Sequence, residues 1–478
     1  MVRSDDLMAE LSRQLARNSM LQMGGKGVGT LLGILTISIL LRSLGTFGYG
    51  EFTTAITFVT LFATVVDFGL TLTTVQMISE PEADEHRILS NLLSLRLVTG
   101  VIFFSVAPLV GLLFPYSTTI KIAIAIGSIA YLFSTITQML MGIFQKRLQM
   151  WRVVVAELVN RSTFLVGALV VAALGGGVAR FVIALTVAAV LQCVTLITLT
   201  KPLVQLRFHL HTDLWREIFT RSWPIGMSIF FNLIYMRGDI VFLSLLRSTQ
   251  EVGTYGAAYK MVDVITAVPA MFMGLVLPIL VAAWQKKDRT QFTHTIQKTF
   301  DVFAIAAIPV AVGAFALGGP IMIFIGGEQF EGAGPIMRFL APACAFVFFG
   351  ALFAHAAIAV KEQKKAACGF AIVAALSVVG YLVAIPRAGV FGAAAVTLLS
   401  EGLITCITFG IVARASRFVP SLTIAAKTIL ASVLMLLTLP LFSHAHILLQ
   451  IFFGAVIYTV ALTALGGLHP HELKRLLV

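Results

Sequence analysis

The sequence predicts an all-α polytopic membrane protein, and three observations support this fold class: its composition, its long apolar runs and the placement of its charges. Of the 478 residues, 58% are hydrophobic and only 12% are charged, whereas about 25% of the residues in a soluble domain are charged. Apolar runs of about twenty residues, the length that crosses the hydrocarbon core, follow one another along the chain. We therefore expect about fourteen transmembrane helices.

Each predicted span is an apolar run bounded by polar or glycine-containing connections. In chain order the spans are 19–41, 48–78, 88–113, 119–144, 153–174, 181–199, 222–246, 252–283, 299–317, 335–360, 366–385, 391–413, 424–442 and 447–465. The second and eighth runs are longer than one crossing requires, so we expect them to tilt or bend. Pro269 and Pro278 supply bends in the eighth.

The lysines and arginines set the orientation of these spans. Most of the 34 fall in the N-terminal segment, the even-numbered connections and the C-terminal tail. The opposite set of connections contains Arg42, Lys121, Arg180, Arg247, Arg338 and Arg387. Because positive residues concentrate on the cytoplasmic side, both termini are predicted to be cytoplasmic. The net charge of +12 then reflects topology and contact with lipid headgroups, and we expect no nucleic-acid partner.

A short motif occurs twice and indicates an internal repeat. Leu41-Arg42-Ser43 followed by Gly48-Tyr49-Gly50 recurs as Leu246-Arg247-Ser248 followed by Gly253-Thr254-Tyr255-Gly256. Both copies join an outgoing span to an incoming one, so the halves are predicted to be parallel six-helix bundles with a substrate site at their interface. The predicted segments are an amphipathic cytoplasmic segment 1–18, bundles 19–200 and 222–413 joined by a cytoplasmic linker 201–221, an additional helix pair 424–466 and a cytoplasmic tail 467–478.

The motifs around these hinges resemble those of a known family. The first half contains LRSLGTFGYGEF and VVDFGL, and the second contains SWPIGMS, YMRGDIVFLSLL and EVGTYGAAYKMVDVI. Together they are similar to the Wzx-type polysaccharide biosynthesis flippases of the multidrug/oligosaccharidyl-lipid/polysaccharide exporter superfamily. The resemblance covers spans one to twelve. It implies a flippase that carries undecaprenyl-diphosphate-linked oligosaccharide repeat units from the cytoplasmic to the periplasmic leaflet for exopolysaccharide or O-antigen (lipopolysaccharide) assembly.

The resemblance also implies a location, a mechanism and partners. It implies the bacterial inner membrane, alternating access around a cationic central cavity, no cofactor and no nucleotide hydrolysis. The expected partners are the lipid-linked glycan, membrane lipids, and a polysaccharide polymerase with other proteins of the pathway, and we expect a monomer that is not an enzyme. Related lipid II flippases also have fourteen helices, of which the last pair forms a groove for a lipid tail.

Five basic residues lie within the predicted spans and are the candidates for holding a lipid diphosphate. They are Lys26, Arg96, Arg161, Arg237 and Lys260. A charge at membrane depth is costly and normally faces a cavity or a partner, and Arg and Lys bind phosphate groups well. Structural alternatives remain open. Lys26 and Arg96 are the shallowest and can snorkel to the interface. Arg161 can pair with Glu157 one turn earlier, and Lys260 can pair with Asp263.

Four acids at membrane depth are candidates for ion coupling. They are Asp67, Glu401, Asp239 and Asp263. Asp67 and Glu401 have no cation nearby in sequence, and such a carboxylate is a candidate proton or sodium site; the alternative is a hydrogen bond or a partner from another helix. Asp239 lies two residues after Arg237, a spacing at which the two side chains do not face each other on a helix.

Polar side chains near the second hinge are candidates for contacting sugars. Tyr235 and Tyr259 can stack on sugar rings, and Asn232 can hydrogen-bond sugar hydroxyls or cap a neighbouring helix. The four cysteines lie singly in apolar runs, so no metal site is expected.

Two other function classes compete with the flippase. A cation-coupled multidrug antiporter of the same superfamily should have an acidic cavity, whereas bases lie on five different predicted spans here. A membrane enzyme of the same pathway should have a large outer loop with catalytic residues, and the longest one, Gly318–Pro335, contains only Glu328 and Glu331 as acids.

Overall fold

The computed structural model describes residues 2–78, 84–147, 149–203, 208 and 211–468. Within these residues the chain is helical and contains no strand, which confirms the predicted fold class. The α-helices are α1 Val2–Asp67, α2 Leu70–Ile78, α3 Glu85–Leu112, α4 Thr118–Lys146, α5 Met150–Ala173, α6 Val178–Thr200, α7 Thr212–Leu246, α8 Thr249–Gln285, α9 Arg289–Gly326, α10 Ala333–Ala359, α11 Gln363–Ser416, α12 Thr423–Thr438 and α13 Ile447–Ala464. Parts of the predicted linker, 204–207 and 209–210, and the predicted tail from residue 469 lie outside the described residues.

Twelve helices in the described part are long and apolar enough to cross a membrane, whereas the sequence predicts fourteen spans. The difference arises because α1 and α11 each contain two predicted spans joined at one glycine. Gly45 (φ 65°) interrupts the helical backbone of α1, and Gly389 (φ 57°) interrupts that of α11. A positive φ is accessible to glycine at little cost, which lets the chain turn without a separate loop.

At Gly389 the chain reverses its direction. The Tyr381 hydroxyl lies 3.4 Å from Thr397 Oγ1, although these residues would be more than 20 Å apart along a straight helix of this length, at about 1.5 Å per residue. Likewise, a Cβ added to Gly392 would lie 2.3 Å from the Ala384 carbonyl oxygen. The two parts of α11 are therefore antiparallel neighbours.

The chain divides into two compact units, Met1–Leu233 (unit 1) and Ile234–Val478 (unit 2). In unit 1 neighbouring helices run in alternating directions, as the short connections predict. Gly100 of α3 lies against Leu132 of α4, and Gly111 lies against Ile124, so α3 and α4 are antiparallel. Clusters of buried aliphatic and aromatic side chains hold these helices together.

In unit 2 the candidate residues lie on α7, α8 and α11. Ser248 begins α8 with a capping box, in which its hydroxyl accepts from the Glu251 backbone N–H and the Glu251 carboxylate accepts from the Ser248 backbone N–H. Such caps satisfy backbone donors that a helix start leaves free. The last pair, α12 and α13, packs on α9, where the Tyr458 hydroxyl donates to the Ile305 carbonyl at 2.7 Å.

Candidate functional site

Unit 2 contains a cationic cluster formed by Arg237 of α7 and by Tyr259, Lys260 and Asp263 of α8. Arg237 Nη2 lies 3.1 Å from both carboxylate oxygens of Asp263, and Lys260 Nζ lies 3.6 Å from Asp263 Oδ2. The guanidinium also lies 5.3 Å from the centre of the Tyr259 ring, a favourable cation–π distance. One carboxylate is thus shared by two cations.

The spacing on α8 creates this arrangement. Asp263 follows Tyr259 by four residues and Lys260 by three, so its carboxylate lies beside both side chains on the helix surface. The Tyr259 hydroxyl donates to the Met236 carbonyl at 2.7 Å, which ties α8 to α7 beside Arg237. The side chains of Arg237 and Lys260 remain 28% and 46% exposed. An anion can therefore reach both cations without displacing the helices.

Asp239 faces away from this cluster, as its spacing from Arg237 predicts. It is fully buried; its Oδ1 accepts from the Ile240 backbone N–H at 2.7 Å, and its Oδ2 accepts from the Tyr255 hydroxyl at 2.7 Å. Thr397 of α11 lies within 3.5 Å of the same oxygen. Hydroxyl groups therefore surround the second Asp239 oxygen, an environment of oxygen donors and acceptors suited to a proton or a small cation.

Glu401 of α11 is the other buried acid of unit 2. Its side chain is almost inaccessible, with 6% of the residue exposed, and within the described part of the chain no donor hydrogen-bonds to its carboxyl group. An ionised carboxyl without a partner is costly to bury. Such a group is characteristic of sites where a proton or cation is exchanged.

In unit 1, Arg96 and Asp67 form a buried ion pair. Asp67 has no cation nearby in sequence, and of the alternatives left open for it the structure shows a partner from another helix, Arg96 of α3. Arg96 is 0% exposed and donates to Asp67 Oδ1, to Thr71 Oγ1 at 2.7 Å and to the Thr135 carbonyl at 2.7 Å. Neither snorkelling of Arg96 to the interface nor direct contact with a substrate fits this arrangement, since the side chain is fully buried.

A polar cavity of about 420 Å³ lies within unit 1 and is called the unit 1 cavity below. Residues of α1, α2, α4 and α5 line it. The polar lining residues are Gln22, Lys26, Asp67, Thr71, Gln138, Gln145 and Glu157. The structure thus brings two sequence candidates, Lys26 and Asp67, to one cavity. The glutamines were missed by sequence reasoning, although the polar residues at positions 138 and 145, two helical turns apart in an apolar span, were a usable signal.

The remaining sequence candidates are placed differently from expectation. Arg161 lies over α1, with its guanidinium 3.4 Å from the position of a Cβ on Gly33, and the described structure contains no ion pair between it and Glu157. Tyr235 and Tyr259 are only 5% and 4% exposed, and the Tyr235 ring stacks on Phe370. Their predicted stacking on sugars is therefore wrong, because neither ring has an open face. Asn232 lies on α7.

Unit 2 also contains an apolar cavity of about 320 Å³ beside the last helix pair. Its lining includes Pro309 and Gly313 of α9, Met435 of α12, and Gly454 and Tyr458 of α13. Almost all of the exposed lining surface is apolar. The site can therefore accept a hydrocarbon chain but offers little to a charged group.

Comparisons with known proteins agree with this architecture. The model of the family described as "Polysaccharide biosynthesis protein" matches residues 15–284. The succinoglycan biosynthesis transport protein ExoT of Rhizobium meliloti (strain 1021) is 24% identical over 323 residues, which cover 65% of this chain and 62% of that protein. The chain thus matches less than two thirds of that relative's length.

Solved transporter structures share the fold. The lipid II flippase MurJ in an inward closed conformation superposes with a TM-score of 0.78 at 14% identity, covering 92% of this chain and 97% of that one. An inward-facing multidrug resistance MATE family transporter of the MOP superfamily gives a TM-score of 0.67 at 12% identity, covering 81% and 95%. At these identities the likeness concerns the fold.

Proposed function

Because the chain belongs to the polysaccharide biosynthesis protein family, we propose that it is a flippase for a lipid-linked oligosaccharide. It moves undecaprenyl-diphosphate-linked repeat units from the cytoplasmic to the periplasmic leaflet of the bacterial inner membrane, for exopolysaccharide or O-antigen assembly. The observation that carries this proposal is the cationic cluster, in which Arg237 and Lys260 share one carboxylate and stay partly exposed. A diphosphate offers oxygens that both cations can bind.

The proposed roles follow from the contacts of each group. Arg237, with its planar fork of donors, holds phosphate oxygens, and Lys260 adds a mobile point charge. Lys26, Arg161 and Asn232 are secondary contacts for the headgroup or glycan, whereas Arg96 positions Asp67. The apolar cavity beside α12 and α13 accommodates part of the isoprenoid chain. Transport proceeds by alternating access without a nucleotide, driven by the membrane potential and tuned by Asp239 and Glu401.

The proposed orientation places both termini in the cytoplasm, from the distribution of lysine and arginine. The two bundles 19–200 and 222–413 are the proposed moving parts, with 424–466 as an appendage, and the protein acts as a monomer beside the polymerase of the pathway. Cysteines introduced at Gln285 and Gln329 should then react with a membrane-impermeant label from opposite sides. Labelling of both from outside would refute this orientation.

The test of the proposed function is transport in cells that lack the protein. Lipid-linked oligosaccharide should accumulate in these cells and disappear when the wild-type chain is restored. In cells that produce Arg237→Ala at normal abundance, the lipid-linked oligosaccharide should still accumulate, because one of the two cations that bind the diphosphate is lost. Arg237→Lys should restore part of the export, because the charge survives without the fork geometry.

A matched control separates this effect from general loss of positive charge. Arg414→Ala removes an exposed arginine at the end of α11 and should export normally. Normal export by Arg237→Ala would overturn the role of the cluster, and cells without accumulated glycan would overturn the function.

One observation favours a second function, a cation-coupled multidrug antiporter of the same superfamily. The buried acids Asp239 and Glu401 both lie in unit 2, where they could bind a proton or sodium ion. Under this alternative, deletion cells become drug-sensitive, and Glu401→Gln fails to restore resistance. The exposed cationic cluster is hard to reconcile with cationic drugs, so the flippase is the better-supported function.

A further inference from the structure

The unit 1 cavity differs in charge from the cationic cluster of unit 2. Its charged lining groups are the ammonium of Lys26 and the carboxylates of Asp67 and Glu157, so positive charge is not in excess. Its volume of about 420 Å³ lies within the range of about 300–1,000 Å³ that small-molecule sites occupy. The cavity is thus large enough for a ligand but poorly suited to a diphosphate, which requires cations.

Three carboxamides dominate the remaining polar lining. Gln138 and Gln145 are seven residues apart and therefore project from the same face of α4, and Gly142 between them leaves the space that a side chain would fill. Gln22 contributes a third carboxamide from α1. In the described structure none of the three is hydrogen-bonded to another residue, and each offers two donors and an acceptor.

The Arg96–Asp67 pair adds a fixed acceptor to this surface. Asp67 Oδ1 accepts from Arg96 and Thr71, whereas Oδ2 has no donor within the described residues. The Asp67 side chain is 17% exposed and lines the cavity. Arg96 therefore acts as a positioning residue that holds one carboxylate oxygen toward the cavity. Met141 and Met150 supply flexible apolar walls between these polar groups.

We infer that the unit 1 cavity is a subsite for a neutral sugar residue of the glycan, recognised by Gln22, Gln138 and Gln145. The inference rests on the proposed function. A pyranose has several hydroxyl groups, each both donor and acceptor, and apolar C–H faces, which matches carboxamides beside methionines. A diphosphate has acceptors only and is held elsewhere. The cavity adjoins the beginning of the first predicted span, at Gln22 and Lys26, and the α4–α5 connection. This end of the unit is predicted to face the cytoplasm, where a substrate would enter.

Protection of a cysteine from alkylation tests this subsite. The reporter is Met141→Cys in a chain whose four native cysteines are replaced by alanine, since Met141 lines the cavity without hydrogen-bonding a ligand. The first probe is the water-soluble oligosaccharide released by mild acid from the lipid-linked glycan that accumulates in deletion cells. The second is undecaprenyl diphosphate without sugar. We expect the oligosaccharide alone to slow maleimide labelling.

Variants of the glutamines provide the matched comparison. Gln138→Leu should raise the oligosaccharide concentration needed for protection by about tenfold, the effect of one or two lost hydrogen bonds. Gln192 on α6 is a carboxamide of the same unit that does not line the cavity. Gln192→Leu should leave the oligosaccharide concentration needed for protection unchanged.

Each contrary result has a distinct meaning. Equal protection by undecaprenyl diphosphate would make the cavity a headgroup site and overturn the inference. Absence of protection by an oligosaccharide that does accumulate would overturn it while leaving the proposed function intact. Absence of any accumulated lipid-linked glycan would overturn both.

Discussion

Units 1 and 2 each contain an arginine–aspartate pair between neighbouring helices, but the surroundings of the two pairs differ. In unit 1 the Arg96 guanidinium is 0% exposed and donates to three different acceptors. In unit 2 the Arg237 side chain is 28% exposed, and its only described hydrogen-bond acceptor is the Asp263 carboxylate, which Lys260 shares. The same residue types therefore form a fully buried pair with several acceptors in one unit and a partly exposed pair with one shared carboxylate in the other.

This difference teaches that burial and the number of acceptors, more than residue type, distinguish a structural arginine from one that can bind a ligand. A buried ion pair contributes little net stability, but removing one partner leaves an uncompensated charge in a medium of low dielectric constant. A partly exposed cation that shares its carboxylate with a second cation can accept a new anion at small cost. We accordingly expect changes in unit 1 to affect folding and changes in unit 2 to affect transport.

The largest expected effect comes from neutralising the carboxylate of each pair in turn. Asp67→Asn leaves the fully buried Arg96 without a counter-charge, which should lower the free energy of unfolding by about 3–5 kcal/mol. Asp263→Asn should cost on the order of 1 kcal/mol, because Arg237 and Lys260 remain partly exposed. Both losses of stability can be measured by heating the purified variants in detergent and recording how much soluble monomer remains at each temperature.

A double variant checks that the loss in unit 1 arises from the orphaned charge. Replacing both partners, Arg96→Leu with Asp67→Leu, removes the charges together and should recover much of the stability. Similar unfolding temperatures for Asp67→Asn and Asp263→Asn would break the contrast between the two pairs.

The helices of both units could be predicted from sequence, but the two pairs could not. Apolar runs of sufficient length and the Leu246-Arg247-Ser248 hinge locate the spans, because in a membrane each backbone group must be satisfied within its own helix. Asp67 and Arg96 are on different helices, as are Arg237 and Asp263, and sequence spacing identifies only neighbours on one helix. The same limit applies to the unit 1 cavity, whose wall needs four helices.

The second effect is smaller and concerns binding of a diphosphate to unit 2. Inorganic pyrophosphate at ten times its dissociation constant should stabilise the folded protein by about 1.4 kcal/mol through mass action. Arg237→Ala should abolish this stabilisation, whereas Arg414→Ala should retain it. The measurement is the shift in thermal unfolding with pyrophosphate at constant ionic strength.

An equal shift in Arg237→Ala would place the anion site elsewhere. Equal stabilisation by sulfate at matched ionic strength would show that the response is general screening of charge, which would also contradict a specific diphosphate site.

The smallest expected effect is that of Glu401→Gln on transport driven by the membrane potential. Moving a diphosphate with two negative charges outward is assisted by an inside-negative potential, by roughly 4–5 kcal/mol at 100 mV. Within the described residues Glu401 is buried and forms no ion pair with Arg237 or Lys260, so it should tune the transport cycle without supplying its main driving force. In liposomes with an imposed potential and no proton or sodium gradient, Glu401→Gln should flip a fluorescent lipid-linked oligosaccharide at a rate within about twofold of the wild-type rate. This difference corresponds to less than about 1 kcal/mol in barrier height.

The control is Glu331→Gln, which changes an exposed acid outside the helices. Flipping that follows a pH or sodium gradient, ignores the potential and disappears in Glu401→Gln would instead make this carboxyl group the coupling site.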